Sequence, residues 1–270
     1  MQELPIRDPA GIAGRFLAAR RAAVPLADYP GCAPGDLAEA YRIQDHAISG
    51  WGRDVIGWKV GRVMPPVSET LGTERLAGPI FAAAPADADR AVAMPVFDGG
   101  FAAGEAEFLL RIGAAPPAGK TRFTLDEAAE LIDAVHVGIE IASSPLATIN
   151  ALGPLVVISD FGNNNGLLVG PAVPDWRTSG FEQWDVTTLI DGRAVGCGKA
   201  AAFPDGAIGS ARFLFELMAA RGIALRPGQW ISSGAIGGVH DAHVGQRVEA
   251  DFGGRFKIAC TLIEAQPDRD

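Results

Sequence analysis

Glu105-Ala106-Glu107 constrains this chain more than any other stretch, because two acids at i and i+2 on a strand project to the same face. A third acid follows in Gly138-Ile139-Glu140. Three ionised carboxylates brought together repel one another, so either their pKa values rise and protons stay on, or a divalent cation holds them in place. An all-oxygen set selects Mg²⁺, Mn²⁺ or Ca²⁺ over Zn²⁺. Taken alone, an acid pair of this kind is most often a solvated strand face, so the surrounding chain must decide its meaning.

That surrounding chain reads as β-rich. Its 34 glycines and 19 prolines imply many tight turns rather than long helices, and 48% hydrophobic with 20% charged residues excludes a disordered class. Residues 9–50 carry helical patterning broken near Pro25 and Pro30, with Asp36 placed to cap a second helix through Leu37, Tyr41, Ile43, Gln44 and Ile48. From Val55 the texture changes to short apolar runs punctuated by glycine, beginning with a strand over residues 56–61. A Thr124-x-x-Glu127 capping box opens a helix predicted over 124–135, followed by a strand over 137–141 that carries Glu140. Asp191-Gly192 and Gly253-Gly254 each join two β-type runs into a hairpin, and 208–221 has helical apolar spacing. The expected architecture is α+β: a helical N-terminal subdomain over 1–54 and a β-rich core over 55–270.

The formal net charge of -9 argues against a nucleic-acid surface or an anionic membrane partner, while leaving room for a small anionic substrate at a metal. No basic flank with an apolar run opens the chain and no stretch is long enough to span a bilayer, so a cytoplasmic protein is expected. Cys32, Cys197 and Cys260 are widely spaced and odd in number, which reads as reduced thiols rather than a disulfide or zinc framework.

In order along the chain stand Ala40-Tyr41-Arg42-Ile43-Gln44, Gly57-Trp58-Lys59-Val60-Gly61, Leu71-Gly72 and Glu105-Ala106-Glu107-Phe108. Gly138-Ile139-Glu140-Ile141, Asp160 with Asn165-Gly166-Leu167-Leu168-Val169-Gly170, Ser233-Gly234 and Ala250-Asp251-Phe252-Gly253-Gly254 complete the series. Through these motifs the sequence resembles the fumarylacetoacetate hydrolase superfamily, in its branch of 2-oxopent-4-enoate hydratases and 4-oxalocrotonate decarboxylases. The resemblance implies a mixed β-roll core, Mg²⁺ or Mn²⁺ held by Glu105, Glu107 and Glu140, Lys59 as the acid/base group, a small 2-oxo or enol carboxylic acid as substrate, and a homo-oligomer. It further implies hydration of a 2-hydroxy-2,4-dienoate through a metal-chelated enolate, with decarboxylation, acylpyruvate-type hydrolysis or a catalytically reduced scaffold as alternatives.

Two departures bear on the substrate. Resembling sequences often carry an acid and an arginine in an E-I-x-D-S-R run, where this chain has Ser143 and Pro145, and Ala77 stands near the place of another expected acid. Lys59, between Trp58 and Val60, is expected to be desolvated and its pKa lowered. Asp160 and Asn165, in a polar segment before an apolar strand, are candidates to bind substrate, as are Ser233 and Gln44. His46, His136, His240 and His243 form no metal or catalytic motif, which ranks hydration above hydrolysis. Gly196-Cys197-Gly198-Lys199-Ala200 lacks the spacing and hydroxyl of a phosphate loop.

Overall fold

The computed structural model describes residues 6–268. Along the chain run α1 (Pro9–Ala22), α2 (Leu37–Trp51), β1 (Gly57–Arg62), α3 (Val67–Leu71), β2 (Arg75–Ile80), β3 (Ala83–Pro85), β4 (Val92–Val96), β5 (Phe101–Ile112) and α4 (Leu125–Glu130). There follow β6 (Ile132–Ser144), α5 (Pro154–Ser159), β7 (Asn164–Ala172), β8 (Val186–Ile190), β9 (Arg193–Gly198), α6 (Gly206–Arg221), β10 (Trp230–Ser232), β11 (Arg247–Phe252) and β12 (Lys257–Glu264). Seven strands form one mixed sheet in the order β2-β1-β10-β5-β6-β7-β3, and five form a second, β4-β12-β11-β8-β9. The fold class is α+β, as expected.

The first sheet uses its two faces differently. Ala106, Phe108 and Leu110 of β5 point into the main core, where Phe108 packs on Phe252 of the second sheet at 5.3 Å between ring centroids. The sheets approach closely at Gly104, where a Cβ would lie 2.7 Å from Val248 Cγ1, so a side chain there would push them apart. On the opposite face, Phe101, Ala103 and Ala142 meet α1, α2 and α5 through Phe16, Leu17, Ile43 and Ile158 in a second apolar cluster. Glu105 and Glu107 share the face of Phe101 and Ala103, so they lie beneath the helices and not between the sheets.

Local signals account for most element ends. Asp36 accepts from Glu39 N at 2.8 Å and caps α2, and the Thr124/Glu127 capping box opens α4. At the β8–β9 turn Asp191 and Gly192 both have positive φ, 50° and 77°, as the two-residue hairpin requires. The helix expected over 124–135 ends at Glu130 instead, and Ile132 already starts β6. There Val135 and Val137 pair with Leu110 and Phe108 of β5, and this long-range pairing outweighs the helical spacing. No helix among the described residues is long and apolar enough to cross a membrane, and the three cysteines are unbonded.

Candidate metal centre

Register builds the centre. In the antiparallel β5–β6 pair Glu105 lies directly opposite Glu140, and Glu107 is opposite Gly138, so the three acids share one face with no side chain between them. One carboxylate oxygen of each lies within 4.8 Å of the others. All three residues are buried, Glu105 at 3% exposure and the other two at 0%.

Neighbouring elements hold two of the acids by one oxygen each. Ser232 Oγ, at the end of β10, donates to Glu107 Oε2 at 2.5 Å, and Gly234 N donates to the same oxygen at 2.8 Å. Asn164 Nδ2 donates to Glu140 Oε1 at 2.9 Å, and Lys59 Nζ lies 3.5 Å from that oxygen. Glu107 Oε1 and Glu140 Oε2 are buried with no hydrogen-bond partner. A buried, unpartnered carboxylate oxygen is costly, and two of them in a hard-oxygen cluster fit one divalent cation.

Electrostatics agree. Burial pushes Glu105 up to about 7, opposed by Lys59 and reinforced by Glu140. Burial and then Glu140 and Glu105 hold Glu107 well above the usual carboxylate range, against the pull of Ser232 and Gly234. Lys59 departs from expectation: burial lowers its pKa, but Glu140, Glu105 and Glu107 together outweigh that, and the ammonium is held above its usual value. Two surface clefts of about 440 and 600 Å³ lie elsewhere, the first lined by Glu69, Arg75 and Arg212 and the second by Trp176, Arg177 and Glu182. Neither contains a comparable convergence of acids, so the buried cluster is the candidate site.

The segment between α5 and β7 is conformationally unusual. Phe161, Gly162 and Asn163 have φ of 55°, 64° and 59° in succession. Left-handed backbone costs roughly 1–2 kcal/mol per non-glycine residue, so this turn has to be held from outside. Gly78 of β2 makes room for it: a Cβ there would lie 2.1 Å from Phe161 O. The turn brings Asn163 Oδ1 to Lys59 Nζ at 3.1 Å.

No protein-family model matches the sequence, and no curated protein does. Solved structures do match. 4-Oxalocrotonate decarboxylase from Pseudomonas putida G7, complexed with magnesium and adipate, superposes with a TM-score of 0.77 at 18% identity, covering 94% of this chain and 97% of that one. A protein from Yersinia pestis CO92 assigned to the fumarylacetoacetate hydrolase family gives 0.54 at 17%, covering 76% and 92%. This chain has the fumarylacetoacetate hydrolase fold. Fumarylpyruvate hydrolase from Pseudomonas aeruginosa, with Mn²⁺ and pyruvate, also gives 0.54 at 17%, over 77% and 89%.

Within the fumarylacetoacetate hydrolase fold, the remaining sequence candidates fall in different places. Asp160 is engaged by Arg20 and by Ser144 Oγ, so both its carboxylate oxygens are occupied. Asn165 donates to Pro95 O and accepts from Arg20 rather than facing the acids, and its neighbours Asn163 and Asn164 make the site contacts. Ser233 is buried with Oγ unpartnered, whereas Ser232 holds Glu107. Gln44 is fully buried and donates to Ala77 O and Ile158 O. Ala77 N is bonded to Tyr41 Oη, and Glu74 is exposed and outside the cluster. At the corner where Ser143 and Pro145 replace the expected acid and arginine, a guanidinium nonetheless arrives, from Arg20 of α1. Cross-strand register brings Ser232 to the site: Lys59, Ser232 and Leu109 are partners across β1, β10 and β5, and Leu109 lies two residues beyond Glu107 on its face, a pairing that no local pattern specifies.

Proposed function

We propose that this protein is a divalent-cation-dependent lyase of small 2-oxo and enol carboxylic acids, with hydration of a 2-hydroxy-2,4-dienoate as its reaction. One observation carries the reading: three buried glutamates converge, two of them with one oxygen tied down and one left without a partner, beside a buried lysine. Glu105, Glu107 and Glu140 would hold Mg²⁺ or Mn²⁺. When bound, such a cation supplies Lewis-acid charge for the carboxylate and 2-oxo oxygens of the substrate.

The chain's own groups do the rest. Ser232, Gly234 N and Asn164 fix Glu107 and Glu140 so that their free oxygens stay presented without reorganisation. Lys59, oriented by Asn163, carries a proton into a site otherwise lined by acids. Its ammonium gives that proton to a substrate carbon, and the resulting amine takes one back from the water that adds at the far carbon. No histidine belongs to the three-acid cluster, and the ring bonds of His136 and His240 go to backbone carbonyls. His136 lies four residues along β6 from Glu140, roughly 13 Å at strand rise, and its Nδ1 is bonded to Gly170 O. This favours hydration over hydrolysis assisted by histidine.

Decarboxylation is the second reading. It is favoured by the likeness to the decarboxylase over 94% of the chain, against 77% for the hydrolase. Both readings are tested by mass spectrometry of products from metal-stripped protein given 2-hydroxypenta-2,4-dienoate or 4-oxalocrotonate, with and without Mg²⁺ or Mn²⁺. Cation-dependent gain of water on the first substrate supports hydration, and loss of carbon dioxide from the second supports decarboxylation. A cation-induced thermal shift with no turnover of any 2-oxo acid would leave a non-catalytic scaffold.

A further inference from the structure

Arg20 is an arginine of an alanine-rich helix, yet it is only 5% exposed and uses every nitrogen of its guanidinium. Nε lies 2.5 Å from Asp160 Oδ1, and Nη2 donates to Asp160 Oδ2 at 2.9 Å, to Asp160 O at 3.3 Å and to Ser143 O at 3.2 Å. Nη1 donates to Asn164 O and to Asn165 Oδ1, both at 3.2 Å. The guanidinium carbon sits 4.8 Å from the Phe161 ring centroid and 5.4 Å from that of Phe97. These contacts grip both ends of the left-handed turn Phe161–Asn163 and the ring of its first residue.

What the turn carries explains why it is gripped. Asn163 holds Lys59, and Asn164, whose own carbonyl Arg20 binds, holds Glu140. A left-handed turn with two non-glycine residues relaxes toward ordinary backbone unless its surroundings over-determine it, and relaxation would withdraw both asparagines. Only a planar fork can serve the carboxylate and the three backbone carbonyls at once. An ammonium could pair with Asp160 but not span to Asn164 O and Ser143 O.

We infer that Arg20 is a positioning residue of the metal centre, an N-terminal-helix arginine that locks the 160–164 turn so that Asn164 presents Glu140 and Asn163 presents Lys59. The inference rests on the proposed cation site and acts through Asn164.

The test is calorimetric titration with Mn²⁺ alone, on metal-stripped wild type, Arg20→Lys, Asn164→Ala and the double variant, with a thermal unfolding curve for each. Arg20→Met would strand the Asp160 charge in the interior, which is why Arg20→Lys is used. Asn164→Ala, which leaves the Arg20–Asp160 pair intact, is the second, independent variant. Each single variant is expected to bind Mn²⁺ roughly ten- to a hundredfold more weakly, as loss of a ligand's supporting hydrogen bond does. The double variant is expected to match Asn164→Ala within about twofold, because the two residues act in series. A purely structural arginine would lower the unfolding temperature and leave Mn²⁺ affinity unmoved, and that result overturns the inference. So do losses that multiply in the double variant, or an Asn164→Ala protein that binds Mn²⁺ like wild type. Wild type that binds no Mn²⁺ sinks the cation site itself, whereas wild type that binds beside an unaffected Arg20→Lys sinks only the role of Arg20.

Discussion

Removing divalent cations should make this protein less stable as pH rises from 5 to 8, the reverse of what salt-bridged carboxylates produce. Glu105 has its pKa pushed up to about 7 in the folded chain from an ordinary 4.5, so between those values the folded state holds a proton that the unfolded state has lost. Stability conferred by that proton is complete below about pH 4.5 and disappears as pH passes 7. At about 1.4 kcal/mol per pH unit over about 2.5 pH units, the loss is on the order of 3 kcal/mol, or roughly 6–12 °C in Tm for a chain of this size. Glu107, held high for the same reason, acts in the same direction. Asp251, whose pKa is lowered with Lys257 and Gly254 N as its partners, makes its change at lower pH, outside this window. The assay is urea or thermal unfolding in EDTA at pH 5, 6, 7 and 8, repeated with Mn²⁺, which at a hundred times its Kd should restore about 2.7 kcal/mol at the alkaline end. Glu105→Gln should make the EDTA profile shallower, leaving the part of the slope that Glu107 contributes. Stability in EDTA that is level or rising over this range, or a slope that Glu105→Gln leaves intact, would refute the buried-carboxylate argument.

Lys59→Met should reduce turnover by about a hundred- to ten-thousandfold while Mn²⁺ still binds by calorimetry; unchanged turnover removes Lys59 from proton transfer. Glu107→Gln should weaken Mn²⁺ binding by on the order of a hundredfold or more, and Ser232→Ala by roughly ten- to a hundredfold; equal affinities would sink the three-acid site. Gly78→Ala, whose Cβ would collide with Phe161 O, should cost about 1–3 kcal/mol in denaturant unfolding and weaken Mn²⁺ binding as well. A variant as stable as wild type would show that the turn can move freely.

The pairing of Glu105 with Glu107 was legible because strand alternation is local: any strand through the two puts both on one face, whereas Glu140 entered the set through the family resemblance. That Glu140 stands opposite Glu105 rather than one residue away is a register set by pairing across β5 and β6, which no local pattern specifies. A one-residue uncertainty of this sort separated Asn165 from Asn164 and Ser233 from Ser232, since both pairs lie where a strand meets a turn and alternation stops. Gly162 and Asn163 are residue types that favour positive φ, but nothing marked Phe161 for it, because phenylalanine does not advertise positive φ. Arg20 was invisible for a different reason. Nothing in an alanine-rich helix tells which arginine turns inward, and its partners lie at positions 143 to 165. The helix expected to run to Val135 failed where Ile132, Val135 and Val137 found β5.

The like charges facing each other across β5 and β6 also bear on how the chain reaches this structure. Those two strands are neighbours in sequence, with α4 between them, and can pair before the rest of the sheet closes, whereas Lys59 and Ser232 arrive on β1 and β10 from the far ends of the core. A folding intermediate containing only the β5–β6 pair would present three carboxylates with no counter-charge, a locally frustrated patch in an otherwise consistent sequence. Closing the long loops that bring in β1 and β10 is the slow, entropically opposed part of such a topology. Until those sequence-distant strands dock, the three carboxylates face one another without the Lys59 ammonium and the Ser232 hydroxyl that engage them in the finished sheet.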